Sequence, residues 1–173
     1  MAQVCVVGAG YVGLTTASCL AQLGHTVIGI DVDAIKVDLL NSGTIPIVEN
    51  GLEFITQQML EAKRLVFQHE YSDSINAAEF IFLCVPTPQD EDGSADLTYI
   101  REAVTSLLPH IATQAIIVNK STVPVGSTLV VEEIVRREDV FVVSNPEFLR
   151  EGSAVLDFLH PDRIVVGSSN RQA

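Results

Sequence analysis

A glycine run, Gly8-Ala9-Gly10-Tyr11-Val12-Gly13, separates a short apolar segment, Val4-Cys5-Val6-Val7, from a helical stretch lasting to Leu23. A second apolar segment, Thr26-Val27-Ile28-Gly29-Ile30, follows and ends on Asp31. Strand, tight turn, helix, strand and terminal acid, in that order, are what a dinucleotide site requires. Gly8 permits the turn, Gly10 lets the backbone approach a pyrophosphate, and Gly13 lets the helix pack close to the strand. The N–H groups of the first helical turn then face the phosphates. Asp31 falls where a carboxylate accepts hydrogen bonds from the adenosine ribose hydroxyls.

The same acid indicates the form of the cofactor. Asp31 would repel the 2′-phosphate of NADP, and Val32-Asp33-Ala34-Ile35 supplies no arginine to receive one, so NAD is expected. Lys36 is the one nearby cation. It could support a ribose oxygen or pair with Asp33, and spacing favours the pairing.

The net charge of −12 argues against nucleic acid or an anionic membrane as partner. Cofactor phosphates must therefore be met locally, by backbone N–H groups, and a second anionic ligand would need basic groups that are scarce here. No charged residue precedes Asp31, yet there is no basic leader. Thr15, Thr16, Ser18 and Gln22 interrupt the apolar run, so no membrane segment is expected and the chain reads as cytoplasmic. Cys5, Cys19 and Cys84 lack metal-ligand spacing and are odd in number, which indicates neither zinc nor a disulfide framework. Cys84 ends a strand and could face a site, but no neighbouring histidine or lysine activates it, and a packing role is favoured.

Helices are expected over 34–41, 51–62, 97–108 and 127–137, with a brief helical turn at 72–77. Strands are expected at 65–67, 80–85, 115–118, 141–143 and 164–166. Their regular alternation implies an α/β chain, one domain of the Rossmann type with a doubly wound, mainly parallel sheet.

Ligands of such sheets lie beyond the carboxyl ends of the strands. Three segments leave those ends: Pro86-Thr87-Pro88, Lys120 to Gly126, and Asn145 to Gly152. Thr87 is stiffened between prolines. Ser121 and Thr122 could touch a ligand or cap the following helix. Glu147 and Glu151 would share a face with Arg150 if their segment is helical, and a carboxylate beside a nicotinamide can handle protons.

At these residues the chain resembles the amino-terminal part of the UDP-glucose/GDP-mannose dehydrogenase family. The likeness rests on 8–14, Val85-Pro86-Thr87-Pro88, 120–126, 144–152 and 160–167, and leans to the UDP-glucose branch. The resemblance implies oxidation of the C6 alcohol of UDP-glucose to a carboxylate, through a thiohemiacetal and a thioester, with two NAD reduced per turnover. It implies that Gly8, Gly10, Tyr11, Val12, Gly13, Asp31, Lys36, Thr87, Thr122 and Glu151 form the NAD site. Thr122 and Glu147 would assist proton transfer through water, and Glu147, Phe148, Leu149, Arg150 and Glu151 would border the sugar nucleotide. The family's nucleophilic cysteine, catalytic lysine and sugar-nucleotide pocket are expected in a further domain after Ala173, within a homo-oligomeric parent. The competing readings are a dehydrogenase of the GDP-mannose branch, a two-electron hydroxyacid dehydrogenase, which gives no account of Asn145 to Gly152, and a stand-alone NAD-binding sensor or scaffold, which would have no use for proton-handling groups at Thr122, Glu147 and Glu151.

Overall fold

The computed structural model describes residues 1–90, 93–121 and 126–170. Six parallel strands form one sheet: β1 (Gln3–Val7), β2 (Thr26–Ile30), β3 (Leu65–Gln68), β4 (Phe80–Leu83), β5 (Ile116–Asn119) and β6 (Phe141–Ser144). Their order across the sheet is β3-β2-β1-β4-β5-β6. The chain winds outward from β1 in both directions, so the strand order reverses between β1 and β4. That reversal opens the crevice in which doubly wound sheets hold dinucleotides.

The helices are α1 (Tyr11–Gln22), α2 (Ala34–Asn41), α3 (Leu52–Glu61), α4 (Thr98–Leu107), α5 (Ser127–Val135) and α6 (Ala154–Leu159), with a 3-10 turn over Asp73–Ala77. Alternate residues of the strands feed two cores, as the two-residue period of a strand requires. Val4, Val6 and Val27 face α1, α2 and α3, whereas Cys5, Val7, Ile81 and Ile117 face α4 and α5. Burial on both faces explains why these strands read as unbroken apolar runs.

One sequence expectation is corrected here, and one open condition is answered. Ile164-Val165-Val166 forms no strand. Ser144 and Gly167 make a single antiparallel bridge, and all three apolar side chains stay exposed. The Asn145–Arg150 segment is irregular rather than helical, so Glu147 and Glu151 do not share a helix face. The helix lies further on, at α6, packed beside α1. Smaller differences fall at element ends: β4 stops at Leu83, two residues early, and α5 stops at Val135, where Arg136 turns left-handed.

The 145–167 stretch is a closed excursion. Its neck is tied by paired Ser144 and Gly167 backbone bonds, each 2.8 Å, and by the Asn145 side-chain amide donating to the Val165 carbonyl. Among the described residues, no helix is long and apolar enough to cross a membrane, and no acid, histidine or cysteine cluster is placed to hold a metal.

Candidate functional site

The β1–α1 turn explains each of its glycines differently. Gly8 has φ +93°, which only glycine adopts at little cost, and a Cβ there would lie 2.7 Å from the Cys84 carbonyl oxygen. A Cβ on Gly13 would lie 1.7 Å from the Gly8 carbonyl oxygen and 3.1 Å from the Cys84 Cβ. The close contact that Gly13 permits is thus with the turn and with the chain leaving β4. Gly10 is different. Its backbone is ordinary, and nothing lies within 4 Å of the position its Cβ would take. Packing does not require glycine there, and the space it leaves is open.

Gly10 is the N-cap of α1, no side chain caps the helix, and no acid occupies its first turn. The positive end of this twelve-residue helix thus opens beside Gly10 with no acid of its own first turn to meet it. The nearest carboxylates, Asp31 and Glu49, are bound to the Ala9 N–H and the Tyr11 hydroxyl. An anion fits this cradle, and a pyrophosphate supplies one.

At the end of β2, Asp31 is 8% exposed. Its Oδ2 accepts the Ala9 N–H at 2.9 Å, and its Oδ1 accepts the Asp33 N–H at 3.1 Å. Lys36 donates to the same Oδ2 at 2.9 Å. The favoured Lys36–Asp33 side-chain pairing is therefore not formed. Asp33 instead caps α2 by accepting the Lys36 backbone N–H, which leaves the ammonium to reach Asp31. Burial raises the Asp31 pKa, but Lys36 and the two N–H groups outweigh it, and the carboxyl titrates below its ordinary value. Asp31 is thus held as a carboxylate beside the glycine turn. Such a group has about four acceptor positions, of which three are occupied, so ribose hydroxyls would take the remaining one and displace a donor such as Lys36.

The other sequence-derived candidates fall around this turn. Val12 is half-buried in the first turn of α1, and Thr87 is half-buried just beyond β4, the neighbour of β1. Thr122 lies outside the described residues. The Tyr11 hydroxyl donates to Glu49 Oε2 at 2.6 Å and also lies 3.1 Å from the Arg150 carbonyl oxygen. Tyr11 thereby draws the 145–167 excursion to α1, and Glu151 follows Arg150 directly.

A cavity of about 720 Å³ lies beside the excursion, lined by Lys120, Asn145, Glu147, Phe148, Arg150 and Phe158 among others. Glu147 is half-buried, and its Oε2 accepts the Leu149 N–H at 2.6 Å, which fixes the carboxylate against its own backbone. Lys120 is 7% exposed, its Nζ lying 3.3 Å from Asn145 Oδ1 and 5.7 Å from the Phe158 ring centre. Burial holds its pKa below the ordinary lysine value. The Arg150 guanidinium is taken up by Asp157 at 2.6 Å, and Arg163 lies over the Phe148 ring at 4.5 Å. Cations do gather here despite the acidic chain, but Lys120, Arg150 and Arg163 each already have a partner.

All three cysteines are buried free thiols. Burial pushes Cys5, Cys19 and Cys84 each up to about 12. Cys84 packs under the glycine turn, as its Gly8 and Gly13 contacts show, and presents no thiolate to a ligand.

Sequence reasoning missed Glu49. It is 7% exposed, and besides Tyr11 it accepts the N–H groups of Gly152 at 2.8 Å and Ala154 at 3.1 Å. Burial opposes its charge, but the Tyr11 hydroxyl and these N–H groups outweigh that effect and hold the carboxyl below its ordinary range. The one available signal was an acid placed just before a helix, in Glu49-Asn50-Gly51, and its partners are remote in sequence.

The chain matches known proteins along nearly its whole length. Residues 2–173 match the model of the UDP-glucose/GDP-mannose dehydrogenase family, NAD binding domain. A UDP-glucose 6-dehydrogenase of Pseudomonas aeruginosa is 46% identical over 99% of this chain and 40% of its own length. One of Bacillus subtilis is 41% identical over 100% and 39%. The chain thus spans about two fifths of the length of these curated relatives. Among solved structures, a UDP-glucose dehydrogenase of Pyrobaculum islandicum superposes with TM-score 0.88 at 39% identity, covering 98% of this chain and 41% of that one. A GDP-mannose dehydrogenase of P. aeruginosa gives 0.89 at 34%, covering 98% and 41%.

Proposed function

Given that this chain belongs to the UDP-glucose/GDP-mannose dehydrogenase family, and that its cofactor is accordingly NAD, we propose that it serves as the NAD-binding domain of a UDP-glucose 6-dehydrogenase. That enzyme would carry the C6 alcohol of UDP-glucose to the carboxylate of UDP-glucuronate with two NAD. The observation that carries the reading is the open space over Gly10 at an uncapped helix end, beside a carboxylate held charged at Asp31.

In this reading NAD, when bound, supplies the hydride acceptor for both oxidations. The first-turn N–H groups of α1 hold its pyrophosphate, and Asp31 and Lys36 take the adenosine ribose. Val12, Thr87, Thr122 and Glu151 border the dinucleotide. Thr122 and Glu147 would hold a water that takes up the proton released by the reacting hydroxyl oxygen, while the carbon gives its hydride to the cofactor. Phe148, Leu149 and Arg150 form the wall that the sugar nucleotide meets.

A two-stage oxidation also needs a thiolate to hold the aldehyde. Cys5, Cys19 and Cys84 do not suit that role, being buried with raised pKa values. We place the nucleophile in a second domain of an enzyme of the relatives' length. The GDP-mannose reading has one support, the 34% identity to a GDP-mannose dehydrogenase of known structure.

The test is NADH formation, followed by absorbance. The chain by itself should bind NAD yet form no NADH with UDP-glucose, because it lacks the positioning that contributes up to about 7–11 kcal/mol. The enzyme of full relative length should form two NADH per UDP-glucose and be slow with GDP-mannose. Steady turnover by the chain alone that is abolished in Cys84→Ser would overturn the assignment.

A further inference from the structure

Glu49 is a buried acid that has been given no chemical role of its own, and the groups it binds flank one residue that has. Tyr11, the first residue of α1, donates to it and also lies against the Arg150 carbonyl oxygen. Gly152, with φ +86°, and Ala154 donate their N–H groups to its two carboxylate oxygens. Glu151 is thus held between an anchor at Arg150 and an anchor at Gly152. The neck of the 145–167 excursion is tied at Ser144 and Gly167, and Glu49 ties its far end.

We infer that Glu49, acting through Tyr11, is a positioning residue that sets Glu151 and the tip of the excursion against the dinucleotide turn, so that cofactor affinity depends on a carboxylate that need not touch the cofactor. The inference deepens the proposed function and rests on its placing of Glu151 beside NAD. The physical requirement is simple. Neither Arg150 nor Gly152 belongs to a helix or strand, so no regular ladder fixes Glu151. Asp157 holds Arg150 through its backbone N–H and guanidinium, and the Ser153 N–H closes a turn onto the Arg150 carbonyl. The side after Glu151, however, is held by charge-assisted bonds from Gly152 and Ala154 to Glu49, which are stronger than neutral ones. Tyr11 carries that constraint to the helix end whose N–H groups meet the pyrophosphate.

The test compares the chain with Glu49→Ala, Tyr11→Phe and Arg137→Ala. Arg137 bonds Asp139 and the Ile111 carbonyl, away from these groups, and serves as a control for plain loss of stability. The readouts are NAD affinity by calorimetry and amide exchange at Gly152 and Ala154. Glu49→Ala should speed exchange at both amides and weaken NAD by roughly tenfold or more. Tyr11→Phe, which keeps the fold's packing, should weaken NAD by a smaller factor in the same direction. Arg137→Ala should lower the melting temperature without changing NAD affinity. Unchanged NAD affinity in both Glu49→Ala and Tyr11→Phe overturns the inference, as does unchanged exchange at Gly152 and Ala154. If the unsubstituted chain fails to bind NAD, the proposed function falls and this inference with it; binding unmoved by the substitutions removes the inference alone.

Discussion

Replacing Gly10 and Gly13 separately by alanine should divide cofactor binding from folding. The two glycines lie one helical turn apart, yet their surroundings differ. At Gly10 the backbone is in a region open to any residue, and no atom lies within 4 Å of the added methyl. Alanine is a poorer N-cap than glycine by about 0.5–1 kcal/mol. It also restricts the unfolded chain, which returns about 0.4–1 kcal/mol. Folding stability should therefore change by less than about 1 kcal/mol. The methyl would, however, stand where the pyrophosphate must approach. Overfilling a closely packed site costs about 1–3 kcal/mol, so NAD affinity should fall by roughly 5–150-fold. At Gly13 the methyl would be 1.7 Å from a main-chain oxygen, which no side-chain rotation relieves. Gly13→Ala must open the turn, and its loss of stability should exceed about 3 kcal/mol. Thermal melts report folding and calorimetric titration reports NAD. If folded Gly10→Ala binds NAD like the parent, the open space is not the pyrophosphate site. If it melts as low as Gly13→Ala, the packing account of the turn is wrong.

Asp31→Ala should weaken NAD by roughly one to two decades and narrow its preference over NADP, measured by titration with both; tighter NADP binding by the parent chain would contradict the role of Asp31. In an enzyme of full relative length, Glu147→Gln should keep NAD affinity and slow turnover by roughly 10²–10⁴-fold, with a covalent adduct visible by intact-protein mass spectrometry. Acid should destabilise the chain through Asp31 and Glu49. Both titrate below their ordinary values in the fold, so their contribution is present above the unfolded values, near pH 4–4.5, and is lost as pH falls through the folded ones. Melting curves from pH 7 to pH 3 should show this loss, and it should be smaller in Glu49→Gln.

The dinucleotide unit was legible because its signals are local: two apolar strands, three glycines and an acid within thirty-one residues. Even the bounds of α2 matched, since Asp33 before Ala34 and Ser42-Gly43 after Asn41 mark its ends. Ile164-Val165-Val166 misled because β-branched residues favour strands only where a neighbour is present to pair with. There, only Gly167 meets the sheet. The six-residue α6 went unread because it is too short to show a helical period, and its N-cap Ser153 gives its hydroxyl to Asp157 instead of capping the helix. The acceptor for the Ala154 N–H is Glu49, 105 residues earlier. Lys36 was assigned to the wrong acid because spacing reports distance along the chain. Which of two carboxylates is already spent on capping a helix is visible only in space.

The strand order also governs how the chain can be built during synthesis. β1 is made first, yet it ends in the middle of the sheet, with Val4 paired to Val27 on one side and to Phe80 on the other. The first partner emerges soon after β1, whereas the second waits until Phe80 and its strand have been translated. Throughout that interval one edge of an apolar strand is unpaired, and such edges recruit strands from other chains. After β4 each new strand joins the strand made just before it, so this half of the sheet grows outward in the order of translation. A partly made chain in which β4 has not yet emerged therefore exposes an edge of its central strand, whereas one in which β4 has docked has β1 paired on both sides.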